Sequence, residues 1–69
     1  EGMKTTGLAS VLGHVARLRR EVRLNSHAVI PAGTLVLVDP KAGAGRIGFT
    51  VAQTGERGHA RRVAAFEVL

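Results

Sequence analysis

Arginine is the residue type whose number and spacing most clearly indicate chemistry in this sequence. Ten Lys and Arg residues stand against five Asp and Glu, the net charge is +5, and eight of the ten cations are arginines. They concentrate in the segment 14–23 and, more weakly, in the segment 57–62. Because a guanidinium presents a planar fork that fits phosphate or carboxylate, this bias favours an anionic partner. The alternative is that these arginines are solvated surface charges without a partner.

The sharpest functional hypothesis is binding of nucleic acid through an arginine-rich face. The candidate residues are Arg17, Arg19, Arg20, Arg46, Arg57, Arg61 and Arg62. Such contacts position a phosphate backbone without reading bases. Tyr and Trp are absent and both Phe are expected in the core, which disfavours stacking on single-stranded bases. The expected partner is therefore duplex nucleic acid bound with low sequence specificity, or else an acidic protein.

Residues that could catalyse a reaction or hold a metal ion form no recognisable arrangement. His14, His27 and His59 lack the paired spacing of metal ligands. No serine lies in a strained elbow with a histidine and a carboxylate placed to activate it. The glycine-rich segment 41–46 lacks the order of a phosphate-binding loop and precedes a strand, so we interpret it as a flexible hairpin loop. We expect no enzymatic activity, no cofactor and no metal site.

Short apolar runs between turn signals must position the arginines, and their length favours strands over helices. The clearest run is 46–53, whose apolar residues alternate and share one face. The loop 39–45 joins it to the preceding strand 35–38 as a hairpin, and the loop 54–59 joins it to a last run that ends the chain. Three consecutive antiparallel strands are therefore predicted.

The N-terminal third has two interpretations. Apolar residues recur at steps of three and four over residues 7–23, which is typical of a basic amphipathic helix. Gly13 would lie in the middle of that helix at a cost of about 1 kcal/mol relative to Ala. The other interpretation is a strand over 15–19, followed by a long turn over 20–33 whose apolar residues fold over the core. We favour the strand, and a helix packed on a three-stranded antiparallel sheet is the alternative fold.

The strand interpretation also predicts how the arginines come together. Arg17 and Arg19 would point to one face of the first strand, because residues two apart in a strand share a face. Arg61 and Arg62 would lie on a strand that curves close to it. Together they would form a site for an anionic backbone.

The string "ARLRREVRLNSHAVIPAGTLVLVD", followed by a hairpin and the ending "RRVAAFEVL", resembles the small five-stranded SH3-like barrels of many prokaryotic, plasmid and phage proteins. The resemblance covers about residues 15–69 and implies an all-β fold. It further implies that the step at 31–34 opens the second strand, and that a helical turn over 64–66 leads into a closing strand over 67–69.

The resemblance implies fold more than function. The aromatic groove of eukaryotic members has no counterpart, because Tyr and Trp are absent, so recognition of proline-rich peptides is not implied. The glycine-rich signature of the ribosomal KOW subgroup is also unmatched, so RNA binding is not implied. The kind of protein that the barrel resembles suggests a small accessory or mobile-element protein.

We expect one domain over residues 14–69, preceded by an N-terminal arm over 1–13 whose first two residues, before Met3, are an added remnant. The core is thin, because only two Phe enlarge a set of small aliphatic residues. The strand 35–38 is apolar on both faces, so one of its faces needs cover from residues 8–12 or from a second copy. A protein-interaction or assembly module, as a homo-oligomer or an adaptor, is therefore the competing hypothesis.

Membrane association is not indicated. No apolar run approaches the roughly 18 residues that a membrane span needs, and no signal peptide is recognisable. We therefore expect a cytoplasmic protein without a membrane partner.

Overall fold

Seven β-strands and no α-helix make up the part of the chain that the computed structural model describes, residues 10–69. The strands are β1 (Val15–Leu18), β2 (Val22–Asn25), β3 (Ala28–Ile30), β4 (Leu35–Val38), β5 (Ile47–Val51), β6 (Arg57–Ala60) and β7 (Phe66–Val68). A 3₁₀ turn, Val63–Ala65, lies between β6 and β7. The prediction of an all-β fold is confirmed.

The helix considered for residues 7–23 is wrong over the described part of that range, since β1 and β2 occupy it. Gly13 adopts a φ of +78°, which lies outside the helical region and turns the chain into β1. Within β1 the side chains alternate, with Ala16 and Leu18 buried and their neighbours exposed. The two-residue period prevails over the helical spacing because the sheet covers only one side of this segment.

Five strands form one antiparallel sheet in the order β6-β5-β4-β1-β7, and β2 and β3 form a separate two-stranded sheet. The predicted hairpin between the segments 35–38 and 46–53 is confirmed, with Val36 opposite Val51. Strand β1 pairs with β4 on one side and with β7 on the other. The first and last strands are therefore neighbours.

The strand after β5 begins earlier than predicted. Gly55, at a φ of +78°, donates its N–H to the carbonyl oxygen of Val51 at 2.9 Å and closes a tight turn. Pairing then resumes at once, with Arg57 opposite Thr50. β6 therefore lies mostly inside the predicted loop 54–59.

The core lies under the large sheet and is closed by the β2–β3 hairpin. Its buried residues are Val11, Ala16, Leu18, Ile30, Val36, Val38, Ile47, Phe49, Val51, Ala60 and Phe66. The two Phe rings meet edge to face with centroids 5.8 Å apart, a favourable arrangement for aromatic quadrupoles. The prediction that Ile47, Phe49 and Val51 share the core face is confirmed. Val11, in the segment before β1, belongs to the same core.

The β2–β3 hairpin occupies the segment that the sequence predicts as a long turn, 20–33. Val22 and Leu24 pack against the core and Ile30 is buried, so the prediction that these residues fold over the core is confirmed. Leu24 reaches β6 at Gly58, where a Cβ would lie 2.9 Å from the Cδ2 atom of Leu24. The two strands of the hairpin pair antiparallel, with Val22 opposite Ile30.

The turn before β4 is held by short hydrogen bonds. Gly33, at a φ of +88°, donates its N–H to the carbonyl oxygen of Leu18 at 2.7 Å. The Thr34 hydroxyl donates to the carbonyl oxygen of Pro31 at 2.7 Å. Near the C-terminus, the 3₁₀ turn and the closing strand each begin one residue before their predicted positions.

Gly58 offers a test of this packing. A Cβ at position 58 would lie 2.8 Å from the Cζ atom of Phe49, with Leu24 on its other side. We expect Gly58→Ala to lower the free energy of unfolding by about 1–3 kcal/mol, because overpacking displaces buried side chains. The measurement is urea denaturation.

Gly43→Ala is the matched control, since no atom lies within 4 Å of a Cβ there and its φ is not in the left-handed region. We expect its stability to stay within about 0.5 kcal/mol of the parent. Equal stability of the two variants would contradict the packing described for Gly58.

Candidate anion-binding site

A polar cleft of about 360 Å³ opens between the β4–β5 loop and the outer surface of β5 and β6. We call it the basic cleft, and its lining residues are Asp39, Lys41, Gly43, Arg46, Gly48, Arg57, Gly58 and His59. Its cations come from two separate segments of the chain, the loop after β4 and the strand β6. The antiparallel pairing of β4, β5 and β6 brings them together.

Arg57 is held in place by the side chains of Asp39 and Thr50. Its Nη2 atom donates to the Asp39 carboxylate at 2.6 Å, and its Nη1 atom donates to the Thr50 hydroxyl at 3.0 Å. Thr50 lies directly opposite Arg57 in the sheet, whereas Asp39 follows the end of β4. The guanidinium is therefore oriented across the outer surface of β5.

Gly48 allows this ion pair to form. A Cβ at position 48 would overlap the Oδ2 atom of Asp39, so the carboxylate lies over β5 only because no side chain stands there. Arg57 is 63% exposed and Asp39 27% exposed. At such exposure an ion pair contributes about 0–1 kcal/mol, so its main effect is to orient the arginine.

Two further clefts continue from the basic cleft. The second, of about 230 Å³, is lined by Arg46 and Arg61 together with Ile47 and Val63. The third, of about 470 Å³, is lined by Arg19 together with Val63 and Ala64 of the 3₁₀ turn and Phe66 of β7. Arg46 is shared by the first and second clefts, and Val63 by the second and third. The second cleft therefore adjoins both of the others.

Four of the seven arginines predicted to bind nucleic acid line these adjoining clefts. With one lysine, they define a surface that we call the basic face: Arg19, Lys41, Arg46, Arg57 and Arg61. Arg19 is fixed by a hydrogen bond from its Nε atom to the carbonyl oxygen of Phe66 at 3.2 Å.

The other three predicted arginines lie elsewhere. Arg17 lies opposite Glu67 in the sheet and lines a separate cleft of about 320 Å³. Arg20 follows β1 and Arg62 precedes the 3₁₀ turn, both exposed and outside the four clefts. Arg61 and Arg62 follow β6, so the prediction that they lie on a strand is wrong. The chain leaves β6 there because the 3₁₀ turn redirects it towards β7.

Sequence reasoning did not include Lys41, His59 or Asp39 in the site. Lys41 and Arg46 are the first and last residues of the segment 41–46, which the sequence led us to interpret as a flexible hairpin loop. A hydrogen bond from the N–H of Gly43 to the carbonyl oxygen of Arg46, at 2.9 Å, closes a turn within this segment. Two features together could have predicted the site. One is the pair of cations, Lys41 and Arg46, on either side of the glycines in segment 41–46, and the other is the register of β5 and β6.

Strand β4 confirms the prediction that one of its faces enters the core, and its other face is exposed. Val36 and Val38 are buried, whereas Leu35 is 39% and Leu37 50% exposed. Val15, opposite Leu37, is 48% exposed. We call Val15, Leu35 and Leu37 the apolar strip. Of the segment 8–12 predicted to cover it, residues 8 and 9 lie outside the described part of the chain, whereas Val11 is buried in the core and Leu12 packs against the core.

Between residues 10 and 69 there is no cluster of three or more His, Cys, Asp or Glu that could hold a metal ion. Over the same range, no helix has the length and apolar character needed to span a membrane. Comparison with protein-family models, with curated proteins and with solved structures found no match. No relative therefore supplies a role for any residue of this chain.

The Asp39–Arg57 pair can be tested with a double-mutant cycle of Asp39→Asn and Arg57→Gln. We expect a coupling energy between about 0.2 and 1 kcal/mol at low salt, because the pair is exposed and screened by water. The coupling should shrink at high ionic strength. Urea denaturation of the four proteins at two salt concentrations measures it, and strictly additive effects at low salt would contradict the pair.

Proposed function

We propose that this protein is a non-enzymatic binding module that contacts the phosphate backbone of nucleic acid through its basic face. The observation that carries this proposal is the placement of five cations from distant parts of the chain along three adjoining clefts. The only side-chain ion pair of the described residues joins Arg57 to Asp39. Most of the arginine charge is therefore free to meet an anion.

Backbone contact suits this surface better than base recognition. Both Phe rings are buried in the core, and the chain contains no Tyr or Trp. Stacking of unpaired bases normally uses exposed aromatic rings. Guanidinium groups on a duplex neutralise phosphates and release counterions, which gives affinity without sequence preference. Duplex nucleic acid of low sequence specificity is the partner that fits.

For the fold, we propose that the five-stranded sheet is a small SH3-like barrel. The strand order β6-β5-β4-β1-β7 and the 3₁₀ turn before the last strand support this assignment. The β2–β3 hairpin would then correspond to the long diverging turn between the first two barrel strands. The fold by itself does not imply a ligand.

A second candidate function is assembly with another copy of the chain or with a protein partner. The apolar strip favours it, because Val15, Leu35 and Leu37 lie side by side on β1 and β4 and remain exposed. Neighbouring exposed aliphatic residues are typical of interaction surfaces. The strip shares no residue with the basic face, so the two functions are compatible.

Nucleic-acid binding is tested with random-sequence duplex DNA at several salt concentrations. We expect measurable affinity at low salt that falls steeply as salt is added. The variant Arg46→Gln/Arg61→Gln should bind more weakly and reduce the slope of log affinity against log salt by about 0.9 for each phosphate that the variant no longer neutralises. Fluorescence anisotropy measures both quantities.

Arg23→Gln is the matched control, since Arg23 is an exposed arginine of β2 outside the three clefts. It should lower affinity less than the substitutions in the basic face. An absence of binding at low salt, or an equal loss of affinity in the control, would refute the proposed site.

Assembly is tested by the mass in solution as a function of concentration. If the apolar strip forms an interface, the parent protein should associate at high concentration and Leu37→Lys should be monomeric, since a charge would be buried in the contact. Val29→Lys is the control, because Val29 is an exposed valine of β3 in the other sheet. Sedimentation equilibrium measures the mass, and a monomeric parent at high concentration would rule out self-association through the strip.

A further inference from the structure

The basic cleft carries more positive charge than one phosphodiester needs. Lys41, Arg46 and Arg57 stand against the single carboxylate of Asp39, which leaves a net charge of +2 with His59 neutral. An internal phosphate of a nucleic-acid strand carries one negative charge. A phosphate monoester carries about 1.5 to 2 negative charges at neutral pH. The charge of the lining therefore matches a monoester.

The number of cations that each cleft contributes falls from the basic cleft to the second and third clefts. Three line the basic cleft, the second cleft adds only Arg61, and the third adds only Arg19. A strand that ends in the basic cleft would place its terminal phosphate against the three cations. The phosphates that follow carry one charge each, and the second and third clefts add one arginine each.

Close approach of a phosphate to the cleft wall is possible at Gly43, where no atom lies within 4 Å of the position that a Cβ would take. Arg57 is already oriented by Asp39 and Thr50, which occupy only two of its five N–H donors. The remaining donors are available to an anion without much loss of side-chain freedom.

We infer that the basic cleft is a subsite for the phosphate monoester at the end of a nucleic-acid strand. This inference rests on the proposed function, since it names the part of the nucleic acid that the same face engages most strongly. Lys41, Arg46 and Arg57 bind the monoester oxygens, and His59 donates a further hydrogen bond. Asp39 is a positioning residue, which holds Arg57 for this contact.

The test uses a DNA hairpin with a dye in its loop, because a hairpin has a single 5′ end and a single 3′ end. Three forms are compared, which carry a 5′-phosphate, a 3′-phosphate or neither. We expect a terminal phosphate to tighten binding about tenfold, the gain from added hydrogen bonds between charged groups. Lys41→Gln and Arg46→Gln should remove this preference. Arg23→Gln should keep the preference, even if it lowers the affinity for every hairpin.

The outcomes separate this inference from the proposed function. Equal affinity for all three hairpins, with binding that still falls with salt, would overturn the terminal-phosphate subsite and leave nucleic-acid binding standing. No binding of any hairpin would overturn both. A phosphoserine peptide that binds more tightly than either phosphorylated hairpin would overturn the subsite in favour of a phosphoprotein partner. A preference that survives in Lys41→Gln and Arg46→Gln would overturn it by placing the phosphate elsewhere.

Discussion

The packing of Phe49 against a glycine of the neighbouring strand is the constraint on which the rest of this structure depends. Phe49 is fully buried, and its ring lies where any side chain at Gly58 would stand. The same space admits Leu24 from the β2–β3 hairpin. With only two aromatic rings available, the hairpin, β5 and β6 enclose a core only because they approach so closely there.

Gly48 leaves space for another side chain on the outer surface of the sheet, as Gly58 does on the core side. Both glycines lie at the junction of β5 and β6, and the residues directly opposite them are His59 and Phe49. At Gly58 a missing side chain admits apolar atoms, and at Gly48 it admits a carboxylate. Two neighbouring glycines thus support stability on one side of the sheet and charge placement on the other.

The strands whose apolar residues alternate with a clear two-residue period could be predicted from the sequence. β5 alternates cleanly because one face is buried, so its core residues could be identified directly. The β2–β3 hairpin was missed because its turn is short and the apolar residues of β2, Val22 and Leu24, are only partly buried. The start of β6 was missed because Arg57 and Gly58 carry no strand propensity, and their pairing depends on the turn at Gly55.

The candidate site was predictable in composition but not in layout. Arginine enrichment indicated an anionic partner, yet Arg17 and Arg19, two residues apart, line different clefts. Strand β1 ends between them, so the rule that alternate residues share a face no longer applies. Lys41 joined the site through the register of β4 and β5, which no local pattern encodes.

The closed turn between Gly43 and Arg46 has a kinetic consequence. Two backbone hydrogen bonds, of 2.9 and 3.3 Å, span this turn, and Gly45 adopts a φ of +66° within it. The backbone of Arg46 is thus set before any ligand arrives, and capture needs no loop closure. Association with an anion should then be limited by diffusion and electrostatic steering. Variants that bind the anion more weakly should therefore differ from the parent mainly in their dissociation rate.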